Sequence, residues 1–289
     1  MTWSARAFYE KTDHGAPGVA DAAFLERLEP WLGPYVRTWF RPTLEGLEHL
    51  PADGAYLIVA NHSGVGVAEI SCIVLLWWQR FGVSRPLAGF GHPIGFKFPF
   101  LGRIARSIGM IPSTYRAADA ALEQGVPLLL FPGGDHEAFR PIWQANRVDF
   151  GGRKGFLRIA QKHGVPIVPL AIQGSHVTTP ILWRSRLLAW LLVWPRLAGV
   201  KRVPVTLLGL IAFAACVAAG IESGHPWLGG IAGYLSWTLL PSAFIAFVPS
   251  RISLRLLPPI SATEIGDDLD SAYARVTGDL QRAVHAMRR

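Results

Sequence analysis

Four short stretches place residues able to do chemistry beside glycines or at the ends of apolar runs. Asn61-His62-Ser63-Gly64 follows the apolar run Tyr56-Leu57-Ile58-Val59-Ala60. An imidazole there, with an ordinary pKa of about 6.5, suits general-base work near neutral pH. Glu69 stands within reach of it if Gly64-Val65-Gly66 turns the chain back, and a carboxylate in that place orients the ring and stabilises the imidazolium. The second stretch is Phe131-Pro132-Gly133-Gly134-Asp135-His136-Glu137, again after an apolar run. Its paired glycines, Gly133 and Gly134, let backbone N–H groups approach an anion or a developing oxyanion. Asp135 and Glu137 are alternative carboxylates for His62. Arg116, after Ile111-Pro112-Ser113-Thr114-Tyr115, and Arg140, Arg147, Arg153 and Lys154 downstream are suited to phosphate. Each feature also has a plainer reading: a loop histidine that only hydrogen-bonds, a strand-to-helix turn, and solvated surface charge.

Other chemistries find no support in the chain. It has no GxGxxG, Walker loop or HExxH, and its 9 histidines are scattered too widely for a zinc cluster. No GxSxG elbow occurs, and Gly174-Ser175-His176 reads as a turn. The 2 cysteines, Cys72 and Cys216, lie in apolar runs without a partner at ligand spacing. Neither a metal nor a resident cofactor is expected.

The elements that must position these residues alternate. Strands are expected at Tyr56 to Ala60, Val126 to Phe131, Val165 to Ile172 and Ile252 to Leu256, with a short extended piece at Ile111-Pro112. Helices are expected at Ile70 to Trp78, Arg103 to Met110, Ala117 to Gln124, Gly155 to His163 (stopped by Gly164) and Ala272 to Arg289. This alternation predicts an α/β domain with a mostly parallel sheet, whose polar strand ends gather along one rim. Asp21 to Phe40 carries aromatics at helical spacing flanked by Arg37 and Arg41, and Pro34 is expected to kink or divide it. It fits an amphipathic interfacial helix and a core-covering helix about equally.

Composition locates a second unit. Of 289 residues 51% are hydrophobic and only 17% charged, with a net charge of +8. That excludes disorder and points to an anionic membrane surface over nucleic acid, because the basic residues do not form Lys-rich stripes. Between Ile181 and Leu257, Arg184, Arg186, Arg196, Lys201, Arg202, Arg251 and Arg255 face a single acid, Glu222. Val203 to Ile221 is uncharged and long enough to approach the hydrocarbon thickness, and Ser223 to Ser250 is also without Asp, Glu, Lys or Arg. The layout predicts a membrane-embedding hairpin with both ends cytoplasmic, although Gly229, Gly230, Gly233 and Pro241 favour a re-entrant or interfacial second arm. A buried helix pair is the alternative. The N-terminus lacks the form of a secretory signal, so the expected location is the cytoplasmic face of the inner membrane. Residues 1–45 then form an N-terminal arm with amphipathic helices, 46–180 and 251–289 the α/β domain, and 181–250 the hydrophobic insertion.

Taken in order, Asn61-His62-Ser63-Gly64, the stretch from Gly109-Met110-Ile111-Pro112 to Arg116, Leu130-Phe131-Pro132-Gly133-Gly134 and Val165-Pro166-Ile167-Val168-Pro169 resemble the four blocks of the glycerophospholipid acyltransferase superfamily. With Arg140-Pro141 and Phe150-Gly151-Gly152-Arg153-Lys154-Gly155-Phe156 behind it, the Phe-Pro-Gly-Gly form resembles the bacterial diacylglycerol-acyltransferase-like branch. The resemblance covers Gly46 to Ser175 and resumes at Ile252 to Ile260. It implies a single glycerolipid-acyltransferase-like α/β domain that moves an acyl group from acyl-CoA or acyl carrier protein to a lipid hydroxyl, without an acyl-enzyme intermediate. His62 would be the general base, and its carboxylate would be Glu69, or else Asp135 or Glu137, since none of them stands at the family's position. Gly133, Gly134, Asp135, Glu137 and Arg140 would help bind the acceptor or oxyanion, and Arg116 would contact phosphate. Two departures stand out. The acid usual five residues after the histidine is here Val67, and the usual Pro-Glu-Gly is Pro-Gly-Gly. Lysophosphatidic acid is the expected acceptor. A neutral acceptor such as diacylglycerol or a long-chain alcohol is the alternative, and a non-catalytic lipid-binding protein is the reading of another class.

Overall fold

The computed structural model describes residues 15–62, 67–191, 201–238 and 245–287. Residues 1–14, 63–66 and 288–289 and parts of the insertion at 192–200 and 239–244 lie outside the described residues, and with them the expected N-terminal arm and the expected turn at Gly64-Val65-Gly66. The strands are β1 (Thr43–Glu45), β2 (Leu57–Ala60), β3 (Ala88–Gly91), β4 (Met110–Pro112), β5 (Leu128–Leu130), β6 (Ile167–Gln173), β7 (Ile181–Ser185), β8 (Val203–Thr206) and β9 (Ser253–Leu256). Seven of them form one sheet in the order β1-β9-β6-β2-β5-β3-β4. Every pairing in it is parallel except β6 with β9, so the fold is α/β with a mostly parallel sheet, as expected.

Strand β2 shows why the sheet is central. Leu57, Ile58, Val59 and Ala60 are all buried, which is the signature of a parallel strand covered on both faces. Side chains alternate across the pleat, so Leu57 and Val59 join the core on one face and Ile58 and Ala60 the core on the other. Helices α1 (Ala22–Trp39) and α2 (Val67–Phe81) supply Val36, Cys72 and Leu75 to the Ile58 face. After α3 (Pro99–Ser107), helices α4 (Tyr115–Glu123), α6 (Gly155–His163) and α11 (Leu269–Ala286) cover the Leu57 face with Ala121, Leu157 and Leu280. The short α5 (Gly134–Ala138) follows β5, and α10 (Ala262–Ile265) precedes α11. Helix α1 is a core cover, and it is not divided: it runs through both Pro30 and Pro34. The two prolines lie on its exposed side, where water takes the carbonyls that lose their donors.

The insertion folds differently from the expected pair of spans. The first four residues of the Val203 to Ile221 run are strand β8, paired antiparallel with β7. β-branched Val203, Val205 and Thr206 around Pro204 favour that strand, and the Thr206 hydroxyl then caps the next helix by accepting from the Gly209 N–H at 3.0 Å. After α7 (Arg186–Leu191) and β8, the helices are α8 (Leu207–Glu222, 16 residues) and α9 (Pro226–Thr238, 13 residues). At about 1.5 Å per residue they reach about 24 and 20 Å, short of the ~30 Å of a hydrocarbon core. Among the described residues no helix is long and apolar enough to cross a membrane, and this corrects the expected spanning arms. The hairpin itself is present. A Cβ on Gly220 would stand 2.6 Å from the Gly229 Cα, so only glycine lets α8 and α9 approach this closely. Leu210, Ile211, Ile221, Trp227, Ile231 and Leu235 remain exposed on it.

Candidate active site

The parallel strands bring their carboxyl ends to one rim, the place where α/β sheets bind ligands. Strand β2 ends in Asn61-His62, β5 in Phe131-Pro132-Gly133, and β6 in Gly174-Ser175-His176. Asn61 fixes the first of these ends. Its buried side chain donates to the Ile172 carbonyl and accepts from the Ile172 N–H, both at 2.8 Å, which ties β2 to β6 just before His62. The His62 ring stacks on Phe131, with centroids 4.3 Å apart and planes at 20°.

A chain of hydrogen bonds runs inward from the ring. His62 Nδ1 bonds Glu69 Oε1, and Glu69 Oε2 accepts from the Ser175 hydroxyl at 2.7 Å. Glu69 and Ser175 are buried, whereas His62 keeps 13% of its side chain exposed. With Nδ1 directed at the carboxylate, Nε2 is left as the proton acceptor, with no partner among the described residues. The helix start explains the choice of acid. Val67 points outward at the head of α2, and Glu69 turns inward onto the ring.

A second carboxylate grips the backbone beneath this pair. Glu137 Oε2 accepts the His62 N–H and its Oε1 the Asp149 N–H, both at 2.9 Å. Arg140 Nη2 lies 3.6 Å from Glu137 Oε1 and donates to the Asp149 carbonyl at 3.3 Å. Burial pushes the Glu137 carboxyl up to about 7, against the two amides and the Arg140 charge, which pull it down. Burial takes the neighbouring His176 imidazole down to about 3, helped by the charges of Arg140 and His62. Gly133 is required here, because a Cβ on it would stand 2.4 Å from Glu137 Oε2.

An apolar cavity of about 740 Å³, counted with its open mouth, has Phe131 in its wall together with Ile73, Trp77, Trp78, Phe90 and Met110. The ring that stacks on His62 therefore also lines an apolar cavity.

The chain is similar to known proteins in sequence and in fold. Residues 41–173 match the family model described as Acyltransferase. That stretch is similar to acyltransferase-family domains. An uncharacterized protein of Mycobacterium tuberculosis is 31% identical over 179 residues, 62% of this chain and 48% of that one. The 2-acylglycerol O-acyltransferase 3 of Homo sapiens is 26% identical over 222 residues, 72% of this chain and 58% of that one. The phytyl ester synthase 2 of Arabidopsis thaliana is 27% identical over 139 residues, 46% and 19% of the two chains. This chain spans about half the length of the curated relatives it matches first. In fold it is similar to the 1-acyl-sn-glycerophosphate acyltransferase of Thermotoga maritima, with a TM-score of 0.50 at 19% identity, over 91% of this chain and 79% of that one.

The other expected residues divide. Glu69 meets the ring of His62, while Glu137 takes its backbone amide. Asp135 meets neither: it pairs with Arg153 at 2.7 Å and with Arg202 at 3.1 Å. Burial would raise the Asp135 carboxyl, but those two guanidiniums hold it below the usual carboxylate range. Arg140 is fully buried as the partner of Glu137. Arg116 stands exposed on the first turn of α4 without an ion-pair partner among the described residues. Sequence reasoning missed Ser175, whose place at the end of β6 was its one signal. It also missed Arg184 and Arg202, which reach the acyltransferase rim from the insertion: Arg184 Nη1 bonds the His136 carbonyl and Arg202 the Asp135 carboxylate.

Proposed function

We propose that this chain is a membrane-bound O-acyltransferase that moves a fatty acyl group from acyl-CoA or acyl carrier protein to a lipid hydroxyl, with lysophosphatidic acid as the first acceptor to test. The observation that carries the reading is the chain Ser175–Glu69–His62 at the strand rim, beside an apolar cavity that Phe131 helps to line. His62 Nε2 takes the proton of the acceptor hydroxyl as its oxygen attacks the thioester carbon. A C–O bond forms, the C–S bond breaks, and the imidazolium returns the proton to the leaving thiolate. Glu69 holds the ring tautomer and stabilises its charge. The Gly133 N–H stabilises the oxyanion, since that of Gly134 is engaged by the Phe131 carbonyl. The acyl chain lies in the cavity.

Membrane attachment at the cytoplasmic face of the inner membrane rests on the exposed Trp227, Ile231 and Leu235 of α9 and on Trp183, Leu187 and Trp190 at the root of the insertion. A neutral acceptor is the second reading. Gly133 occupies the place of the usual glutamate, and the human relative is named for a 2-acylglycerol.

Thiol release from long-chain acyl-CoA, with lysophosphatidic acid, monoacylglycerol, diacylglycerol and a long-chain alcohol offered in vesicles, tests both readings. His62→Ala is expected to abolish release with every acceptor while vesicle binding persists. Full activity in that variant refutes the mechanism, and His62-dependent release excludes a non-catalytic lipid-binding protein.

A further inference from the structure

We propose that Arg184 and Arg202, carried on the β7–β8 hairpin, form with Arg153 a phosphate-binding cluster over the Gly133-Gly134 turn. Resting on the acyltransferase reading, this assigns the phosphate to one of the two substrates, either the coenzyme A or phosphopantetheine of the donor or the headgroup of a phosphorylated acceptor.

The three guanidiniums converge on one short segment. Arg153 Nη2 bonds Asp135 Oδ1 at 2.7 Å, and its Nη1 bonds the Gly133 carbonyl at 2.5 Å. From the opposite side Arg202 Nη1 bonds Asp135 Oδ2 at 3.1 Å, and Arg184 Nη1 bonds the carbonyl of His136. All three therefore hold the turn whose Glu137 carries the His62 amide. The hairpin that delivers two of them lies outside the acyltransferase-family match at residues 41–173.

Charge balance shows what the cluster lacks. Arg140, Arg147, Arg153, Arg184 and Arg202 surround three carboxyls, Asp135, Glu137 and Asp149. Asp149 is already engaged by His136 at 3.2 Å and Arg147 at 3.8 Å, and Glu137 by Arg140 at 3.6 Å. Arg184 spends its guanidinium on a carbonyl, which cancels no charge. Arg202 is only 13% exposed and Arg184 is half-buried, so water screens these two poorly, whereas Arg147 and Arg153 are solvated. Assembling like charges in such a setting is costly without a counter-ion, and a phosphate offers the multiple anionic oxygens that forked guanidiniums match. If the hairpin only needed fastening, the Arg202–Asp135 pair would suffice and Arg184 would add repulsion.

Binding to the purified full chain, read by calorimetry without turnover, tests the cluster. The probes are coenzyme A, lysophosphatidic acid and monoacylglycerol, the lipids in neutral mixed micelles. The variants are Arg184→Gln, Arg202→Gln and the pair, with Arg158→Gln on α6 as a control that removes the same charge from an exposed site. Each cluster variant is expected to weaken one phosphate-bearing probe by about 10- to 100-fold, while Arg158→Gln and monoacylglycerol binding stay at wild-type values. Loss confined to coenzyme A assigns the donor phosphate, and loss confined to lysophosphatidic acid assigns the acceptor. If the glutamine pair melts early, Arg184→Lys with Arg202→Lys decides, because it keeps both charges and removes the fork: binding several-fold weaker supports the cluster. Unchanged affinity for both phosphate probes, or equal loss for monoacylglycerol, overturns it. A chain that binds the phosphate probe through these arginines but releases no thiol refutes the acyltransferase reading and leaves the cluster standing.

Discussion

Glu69→Gln separates the chemistry of the site from its architecture. Glu69 is fully buried, with one oxygen on His62 Nδ1 and the other on the Ser175 hydroxyl at 2.7 Å. Glutamine has the same shape, and the Ser175 hydroxyl can donate or accept, so that contact survives in either orientation of the amide. The consequence falls on His62. If the amide NH2 faces the ring, Nδ1 becomes an acceptor, Nε2 takes the proton, and the base is lost. If the amide oxygen faces the ring, the tautomer is kept but the imidazolium loses its counter-charge. Both outcomes remove general-base assistance of about 10²- to 10⁴-fold, or about 3 to 6 kcal/mol of transition-state stabilisation at ~1.4 kcal/mol per tenfold. Folding suffers less, because a buried charge and its desolvation cost disappear together. The expected result is kcat lowered by at least about 100-fold, measured by thiol release at saturating acyl-CoA, with the melting temperature within a few degrees of wild type. A variant that keeps more than about a tenth of wild-type kcat while folded refutes the role of Glu69 as the partner of His62.

Three further outcomes follow from the same geometry. Gly133→Ala would place a methyl 2.4 Å from Glu137 Oε2 and 2.5 Å from Glu137 Cβ. It is expected to cost about 1–3 kcal/mol in urea unfolding and most of the activity, and wild-type values for both would show that the turn is looser than described. Glu137, raised to about 7 from 4.5, binds protons in the folded state that the unfolded chain releases, so its contribution to stability is lost as pH rises between those values. His176, lowered to about 3 from 6.5, works in the opposite sense, its contribution being lost as pH falls through that window. Glu137→Gln should therefore leave a steeper rise of stability between pH 5 and 6.5 than wild type shows, and identical slopes in urea midpoints would refute the assignment. Trp227→Glu combined with Ile231→Glu, on exposed positions of α9, is expected to cut co-sedimentation with anionic vesicles about tenfold or more, and unchanged sedimentation would remove this hairpin from the membrane-binding surface.

Strands covered on both faces and helices with clear stops were legible. Leu57 to Ala60 is a short apolar run because both its faces are buried, and α6 ends at Gly164 because that residue adopts φ 63°. Edge strands were not. Thr43–Glu45 has half-exposed side chains and takes its order from pairing with Ser253–Leu256, a partner that local patterning does not reveal. Ala88–Gly91 carries two glycines and reads as a loop until β4 and β5 flank it. Hydropathy alone merged Val203–Thr206 with the helix behind it, since both are uncharged; only the β-branched residues and Pro204 mark the change.

Residue types set next to strand ends marked His62, Gly133 and Glu137 in the sequence, and the fold brings these three together. The site was illegible where a charge acts far along the chain from its origin. Arg184 and Arg202 were counted with the basic residues of an apolar insertion, and by composition they looked like contacts for lipid headgroups. Folding gives them another use. Strands β7 and β8 return the two arginines to the Asp135 turn, while Arg186 and Lys201, their near neighbours in sequence, stay exposed. The hairpin thus carries exposed apolar helices at one end and bonds the Asp135 turn at its root, with β8 running between Arg202 and α8. Shortening α8 and α9 while sparing residues 181–206 should then weaken vesicle binding and leave coenzyme A affinity intact if the donor phosphate is the ligand.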